Sequence, residues 1–231
     1  MRTQYLIDDK QMFIDIALDS GALKFGSFKL KSGRESPYFF NAGEFHSGKV
    51  LKKLGFCYAA ALKRSDLRFD MLFGPAYKGI PLVSSMAVAL FDNYKIDAPY
   101  CFNRKEEKQH GEAGFIVGAP ISGEVIIIDD VITAGTAVKE SLDIITKSGG
   151  KVKAIIVGLD RKERGASEMS ATQEIERDYS IPVLSIIDID DIIRFVSNEK
   201  MPLKTLNDIS CLLYTSPSPR DLGKSRMPSS A

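Results

Sequence analysis

Asp129 and Asp130 stand side by side in the stretch VIIIDDVITAGTA, residues 125–137. Four branched apolar residues run into them, and a loop of small and hydroxylated residues follows. The apolar run reads as a buried strand, Val125 to Ile128, that delivers two carboxylates to the carboxyl edge of a sheet. Thr133-Ala134-Gly135-Thr136 then turns into a helix. Small residues let a ligand reach backbone N–H groups, and Gly135 permits an unusual φ. Unpaired N–H groups at a helix start, with the positive end of the macrodipole, favour a phosphate dianion; Thr133 and Thr136 add hydroxyl donors. Carboxylates repel that phosphate, so they should face O–H donors instead, and the vicinal hydroxyls of a sugar fit. Strand, acidic pair and loop together describe a cradle for a ribose 5-phosphate. The plain alternative is a helix cap flanked by solvated acids. A Walker B strand looks similar but needs a GxxxxGK[ST] partner; GAPISGEV at 118–125 has the glycines and lacks the Lys-Ser, and GxGxxG is also absent.

Four further stretches carry charge or flat surfaces. In LFGPAYKG, Gly74-Pro75 forces a sharp turn that can expose backbone N–H groups to an anion, and Lys78 supplies a cation. Alone it also reads as an ordinary turn with a solvated lysine. NRKEEKQHGEAGFIVGA holds Arg104, Lys105, Lys108 and His110 within seven residues, interleaved with Glu106, Glu107 and Glu112. Such a segment is a solvated surface loop or a cationic lid, with Gly111, Gly114 and Gly118 as hinge points. LDRKERG puts Arg161 just past a strand end, as a carboxylate clamp or a surface ion pair. In KSGRESPYFFN, Phe39 and Phe40 either wall a flat ring or belong to the core.

These residues need elements to hold them. Asp8 or Asp9 caps a first helix with Met12, Phe13, Ile16 and Ala17 on one face, stopped at Gly21. Residues 24–45 read as short strands and turns. Val50, Leu51, Leu54, Cys57, Tyr58, Ala61 and Leu62 form the broad stripe of a core-facing helix. Phe69 to Phe73 and Pro99 to Phe102 are strand candidates around a helix that starts near Pro81, and 103–120 reads as a charged loop. A helix at Thr136–Ser148, a strand at Val152–Leu159, a short helix at Ser170–Tyr179, a strand at Val183–Ile187 and a helix at Asp188–Asn198 complete the pattern. Strands alternating with helices predict an α/β fold, a mostly parallel sheet covered on both faces, with ligands beyond the carboxyl ends of the strands.

The 231 residues suit one domain, expected over 1–210, and the net charge of +1 argues against a protein built to hold nucleic acid or an anionic membrane. Cys57, Cys101 and Cys211 form no CxxC pair, and the only histidines are His46, read as structural or surface, and His110. Zinc or a disulfide framework is therefore not expected, and a reducing cytoplasm is. No secretory signal and no apolar run near the roughly 20 residues of a membrane span are visible. From Cys211 the chain loses periodicity; CLLYTSPSPRDLG resembles translated sequencing-adapter sequence, so 211–231 is expected to be a disordered, non-native tail without function.

VIIIDDVITAGTA resembles the signature of the type I phosphoribosyltransferases. KFGSFKLKSGRESPYFFNAG, LFGPAYKGIPL, YCFNRKEEKQHGE and LDRKERG, in that order, are similar to the bacterial orotate phosphoribosyltransferases over roughly residues 5–200. The resemblance implies the fold of that family with a small N-terminal hood, about residues 1–45 plus C-terminal elements. It implies Mg²⁺-dependent transfer of ribose 5-phosphate from phosphoribosyl pyrophosphate to orotate, giving orotidine 5′-phosphate and diphosphate in pyrimidine synthesis. By the same resemblance Asp129 and Asp130 bind the ribose hydroxyls, and Val131, Ile132, Thr133, Ala134, Gly135, Thr136 and Ala137 form the phosphate loop. Lys31, Tyr77 and Lys78 contact phosphoribosyl pyrophosphate, with a non-proline cis bond expected near Tyr77. Phe39, Phe40, Thr133 and Arg161 contact orotate. Arg104, Lys105 and Lys108 neutralise the leaving diphosphate, and His110 donates a proton or hydrogen bond. The lid is expected to reach a neighbouring subunit's site in a homodimer, and Mg²⁺ to be held by substrate and water rather than by direct protein ligands. Three rivals stay open: transfer to another base, a regulator that binds without turnover, and an inert paralogue.

Overall fold

The computed structural model of the chain describes residues 8–29, 35–106, 115–132, 135–162 and 169–198. Helix α1 (Asp9–Asp19) starts where the Asp8 carboxylate accepts from the backbone N–H groups of Lys10 and Gln11. Strands β1 (Leu23–Lys29) and β2 (Glu35–Phe40) pair antiparallel as a separate two-stranded sheet. After a 3-10 turn at Ala42–Glu44, Ser47 caps α2 (Gly48–Ser65). The main layer follows as β3 (Met71–Gly74), α3 (Gly79–Tyr94), β4 (Tyr100–Asn103), β5 (Ile116–Gly118), β6 (Glu124–Asp129), α4 (Thr136–Lys147), β7 (Lys151–Asp160), α5 (Ala171–Tyr179), β8 (Val183–Asp188) and α6 (Ile189–Asn198). Among the described residues no helix is long and apolar enough to cross a membrane.

The six-stranded sheet runs β5-β4-β3-β6-β7-β8, parallel except for the edge strand β5. Chain order therefore travels one way from β3 to β4 and the other way from β6 through β8. The reversal falls between β3 and β6, the place where open α/β sheets leave a crevice for ligands. Alternation along β6 divides the core. Ile126 and Ile128 pack with Phe13, Leu54, Val83 and Ile192 from α1, α2, α3 and α6. Val125 and Ile127 pack with Val138, Leu142 and Ile145 of α4 and Ile175 of α5.

Two sequence expectations need correction. Residues 103–120 are not all loop: β5 pairs with β4 in register Cys101↔Gly118, Phe102↔Val117, Asn103↔Ile116. Three residues are too few to display alternation, so only the neighbouring strand reveals them. Gly118 is consequently no hinge. Its φ of +106 suits glycine, and an added Cβ would stand 2.5 Å from the Tyr100 carbonyl oxygen. The strand expected from Pro99 begins at Tyr100, while the Pro99 carbonyl accepts from Leu72 N–H. Gly111 and Gly114, and the tail from Cys211, lie outside the described residues.

The turn between β3 and α3 presses on the end of β6. A Cβ on Gly79 would lie 2.6 Å from Pro75 Cδ, 2.8 Å from the Ile128 carbonyl oxygen and 2.9 Å from the Gly74 carbonyl carbon. Two of those three neighbours are backbone and cannot swing away. Gly79→Ala should therefore cost roughly 1–3 kcal/mol, the range for overpacking, in urea denaturation. An unchanged midpoint would show that the two strand ends are not tightly joined.

Candidate active site

At the β3–β6 crevice, the acidic pair sits on main chain that is tied on both sides. The Asp129 carbonyl accepts from the Tyr58 hydroxyl at 2.8 Å, and the Asp130 carbonyl accepts from the N–H groups of Gly158 at 2.9 Å and Leu159 at 3.3 Å. Tyr58 belongs to α2 and is fully inside the core, so helix and neighbouring strand both hold the end of β6. The carboxylates are treated differently. Asp130, only 7% exposed, pairs with Lys78 Nζ at 2.6 Å. Asp129 accepts from the Asp130 backbone N–H at 2.9 Å. Burial, and then the like charge of Asp130, push the Asp129 carboxyl up to about 7, against an ordinary 3.8. Burial followed by the same two acids raises the Tyr58 phenol well above its usual range, which keeps it a donor.

Lys78 comes from the turn after β3, in which the Ala76–Tyr77 peptide bond is cis. Tyr77 is 70% exposed at the mouth of the crevice. The Ala76 N–H donates to Asn103 Oδ1 at 2.8 Å, and Asn103 Nδ2 donates to the Arg104 carbonyl at 3.3 Å. Arg104 N–H donates to the Phe115 carbonyl at 2.8 Å. Asn103 and Arg104, where the charged segment begins, are thus bonded both to the Lys78 turn and to the start of β5. Lys105 lies 3.8 Å from Glu140 on α4. Asn103, Arg104, Lys105, Phe115 and Glu140 line a shallow cavity of about 360 Å³ there.

Gly135 begins α4 with φ +69, and no side chain caps this helix. Its first turn contains no acid, so its N–H groups suit an anion. Thr136 and Ala137 are exposed beside it. Val131 and Ile132 turn their side chains onto the two core clusters, so they can offer a ligand only backbone.

Arg161 follows β7 and meets the hood sheet. Its Nε donates to the Tyr38 hydroxyl at 3.2 Å. Of the two expected aromatics, Phe39 is 39% exposed and stands against Phe28. Phe40 is a correction: its ring is buried between Phe13 and Phe45, at 6.3 and 5.9 Å, because strand alternation turns it into the core. Lys31, Lys108, His110, Thr133 and Ala134 lie outside the described residues. His46 is a surface residue 4.0 Å from Glu44.

Tyr38, Tyr58 and Asn103 were not singled out from sequence for any role at the site. Tyr58 showed only as part of a core stripe. Asn103 could have drawn notice as a polar residue at a strand end just before a basic run. Among the described residues no group of three or more His, Cys, Asp or Glu could hold a metal. The two carboxylates are hard oxygen donors but too few to complete a coordination shell, which fits Mg²⁺ carried in by a phosphorylated ligand and its water.

The family described as "Phosphoribosyl transferase domain" matches residues 45–183. An orotate phosphoribosyltransferase of Mannheimia succiniciproducens is 54% identical over 190 residues, covering 82% of this chain and 89% of that protein. One from Pseudomonas putida is 56% identical over 187 residues, covering 81% and 88%. The crystal structure of orotate phosphoribosyltransferase from Francisella tularensis superposes with a TM-score of 0.82 at 42% identity, covering 90% of this chain and 100% of that one.

The Asp129 shift has a measurable consequence. A carboxyl whose folded pKa lies above its unfolded value withdraws stability as pH rises between the two, here from 3.8 to about 7. Asp129→Asn stays neutral throughout. Its Tm should exceed that of the parent at about pH 8, and the gap should narrow at about pH 4. A gap independent of pH would refute the burial of that charge.

Proposed function

The chain belongs to the phosphoribosyl transferase domain family and, within it, to the orotate phosphoribosyltransferases, and we propose how its residues divide the work. The enzyme transfers ribose 5-phosphate from phosphoribosyl pyrophosphate to orotate, yielding orotidine 5′-phosphate and diphosphate for pyrimidine synthesis. The acidic pair at the end of β6, with Asp130 buried and Asp129 half-buried, beside an uncapped helix start, is the observation that carries the assignment of roles.

Asp129 and Asp130 accept from the ribose 2- and 3-hydroxyls. Residues 131–137 wrap the 5-phosphate, with backbone N–H groups from Val131, Ile132, Thr133, Ala134, Gly135 and Ala137, and the hydroxyls of Thr133 and Thr136. Lys78, paired with Asp130 in the turn that also carries the exposed Tyr77, binds the diphosphate end together with Tyr77; Lys31 is assigned to the same ligand. As the C1–O bond breaks and the C1–N bond forms, positive charge gathers on the ribose ring and negative charge on the departing diphosphate. Arg104, Lys105 and Lys108 neutralise that anion, and His110 donates to it. Orotate lies between Phe39, the Phe40 backbone and Thr133, with its carboxylate on Arg161. Mg²⁺, brought in with the substrate beside Asp129 and Asp130, would supply charge that steadies the leaving group.

We place the working unit as a cytoplasmic homodimer in which the β4–β5 hairpin tip serves a neighbouring site. Val88 and Phe91, exposed together on α3, give a second copy an apolar face to cover. Regulators that bind without turnover and transfer to another base are the readings that the assay must exclude. Orotate absorbance in the ultraviolet should change on adding phosphoribosyl pyrophosphate with Mg²⁺, and stay constant without the metal. No change in either would overturn the assignment. Lys105→Ala should lower kcat by roughly 10² to 10³ while changing substrate KM far less, because its contact strengthens as the diphosphate leaves.

A further inference from the structure

The peptide group that joins Asp129 to Asp130 is gripped at both ends. Its carbonyl, at Asp129, accepts from the Tyr58 hydroxyl at 2.8 Å. Its N–H, at Asp130, donates to the Asp129 carboxylate at 2.9 Å. The group is planar and moves as one piece, so a hydroxyl that fixes the carbonyl also aims the N–H, and through it the carboxylate. Pairing of β6 with β3 ends earlier, at Phe73↔Ile127, so the hydroxyl takes over beyond the end of that ladder. Tyr58 is 1% exposed and reaches the peptide from α2, a helix that supplies none of the residues assigned to a ligand. Gly158 on β7 leaves the space it needs. A Cβ added there would stand 3.0 Å from the Tyr58 hydroxyl oxygen and 2.8 Å from Phe13 Cζ.

We propose that Tyr58 is a positioning residue for the sugar. Its hydroxyl, without touching the ligand, orients the Asp129 carboxylate for the ribose diol and so sets the affinity for phosphoribosyl pyrophosphate. The proposal rests on the assignment of Asp129 to that diol. An aspartate has only two side-chain torsions, so a carboxylate held through its backbone and one of its oxygens keeps little freedom. Without the hydroxyl the peptide plane can tilt, and the carboxylate tilts with it. Orotate, assigned to Phe39, Thr133 and Arg161, should not sense the change.

Tyr58→Phe keeps the ring and its packing and removes only the hydroxyl. The dissociation constant for phosphoribosyl pyrophosphate, from titration calorimetry with Mg²⁺, should rise roughly three- to tenfold, the scale of one hydrogen bond between uncharged groups. KM for orotate, at saturating phosphoribosyl pyrophosphate, should stay within about twofold, because no bond to orotate is lost. Leu54→Val is the packing control. It thins α2 one turn earlier at a fully buried position, and should lower Tm while leaving that dissociation constant within about twofold. In an Asp129→Ala background, Tyr58→Phe should weaken binding by less than about twofold, since the group it orients is gone. An unchanged dissociation constant, a parallel rise in orotate KM, an equal effect from Leu54→Val, or full additivity with Asp129→Ala would overturn the proposal. So would loss of cooperative unfolding in Tyr58→Phe, which would make Tyr58 a core residue first. If Asp129→Ala alone bound phosphoribosyl pyrophosphate as tightly as the parent, the diol assignment itself would fall, and this proposal with it.

Discussion

Two carboxylates at consecutive positions on a buried strand end repel each other and lose solvation together. Their backbone is held at both residues: the Asp129 carbonyl accepts from Tyr58, and the Asp130 carbonyl from Gly158 and Leu159 N–H. The conflict is settled unequally. Lys78 takes the charge of Asp130, and Asp129, left with one backbone N–H, rises to about 7. The cation comes from a neighbouring strand end, and the ties from Tyr58, Gly158 and Leu159 hold the main chain of the pair.

The sheet topology makes such a meeting possible. Only at the β3–β6 reversal do two parallel strands send their following loops to opposite sides, opening a crevice instead of a packed layer. Closeness across it depends on Gly79, whose missing side chain lets the Lys78 turn rest on the Ile128 carbonyl. Asn103 then couples that turn to the base of the β4–β5 hairpin through the Ala76 N–H and the Arg104 carbonyl. Arg104, where the basic segment begins, is thereby carried on the same frame as the acidic pair.

Much of this was legible in the chain itself. Branched apolar runs ending in acids, prolines just inside helices and glycines just outside them marked β6, α3 and α4, and the alternation of element types marked the fold class. Local signals worked because each belongs to a single element. What sequence withheld depends on residues far apart. β5 is three residues long and exists only by pairing with β4. Tyr58 looks like any aromatic on a core stripe until the Asp129 carbonyl, 71 positions away, meets its hydroxyl. Phe39 and Phe40 look equivalent in a row, yet the pleat sends one outward and buries the other against Phe13.

The same reasoning explains why the site tolerates an arrangement that costs stability. An acid raised toward neutrality and a lysine drawn off to its neighbour both mark charge that the folded protein alone does not fully satisfy. On the proposed roles, a sugar diol would donate to both carboxylates, and a diphosphate would give the lysine a second anionic partner. The donors would then arrive at a pair whose backbone is already fixed. Preorganisation of this kind lets binding energy be used at the reacting carbon, because the protein dipoles and charges need no reorientation as the ribose ring becomes positive. That use requires the acidic pair to stay fixed while its partners change, and the buried ties from Tyr58, Gly158 and Leu159 to its backbone supply that fixity.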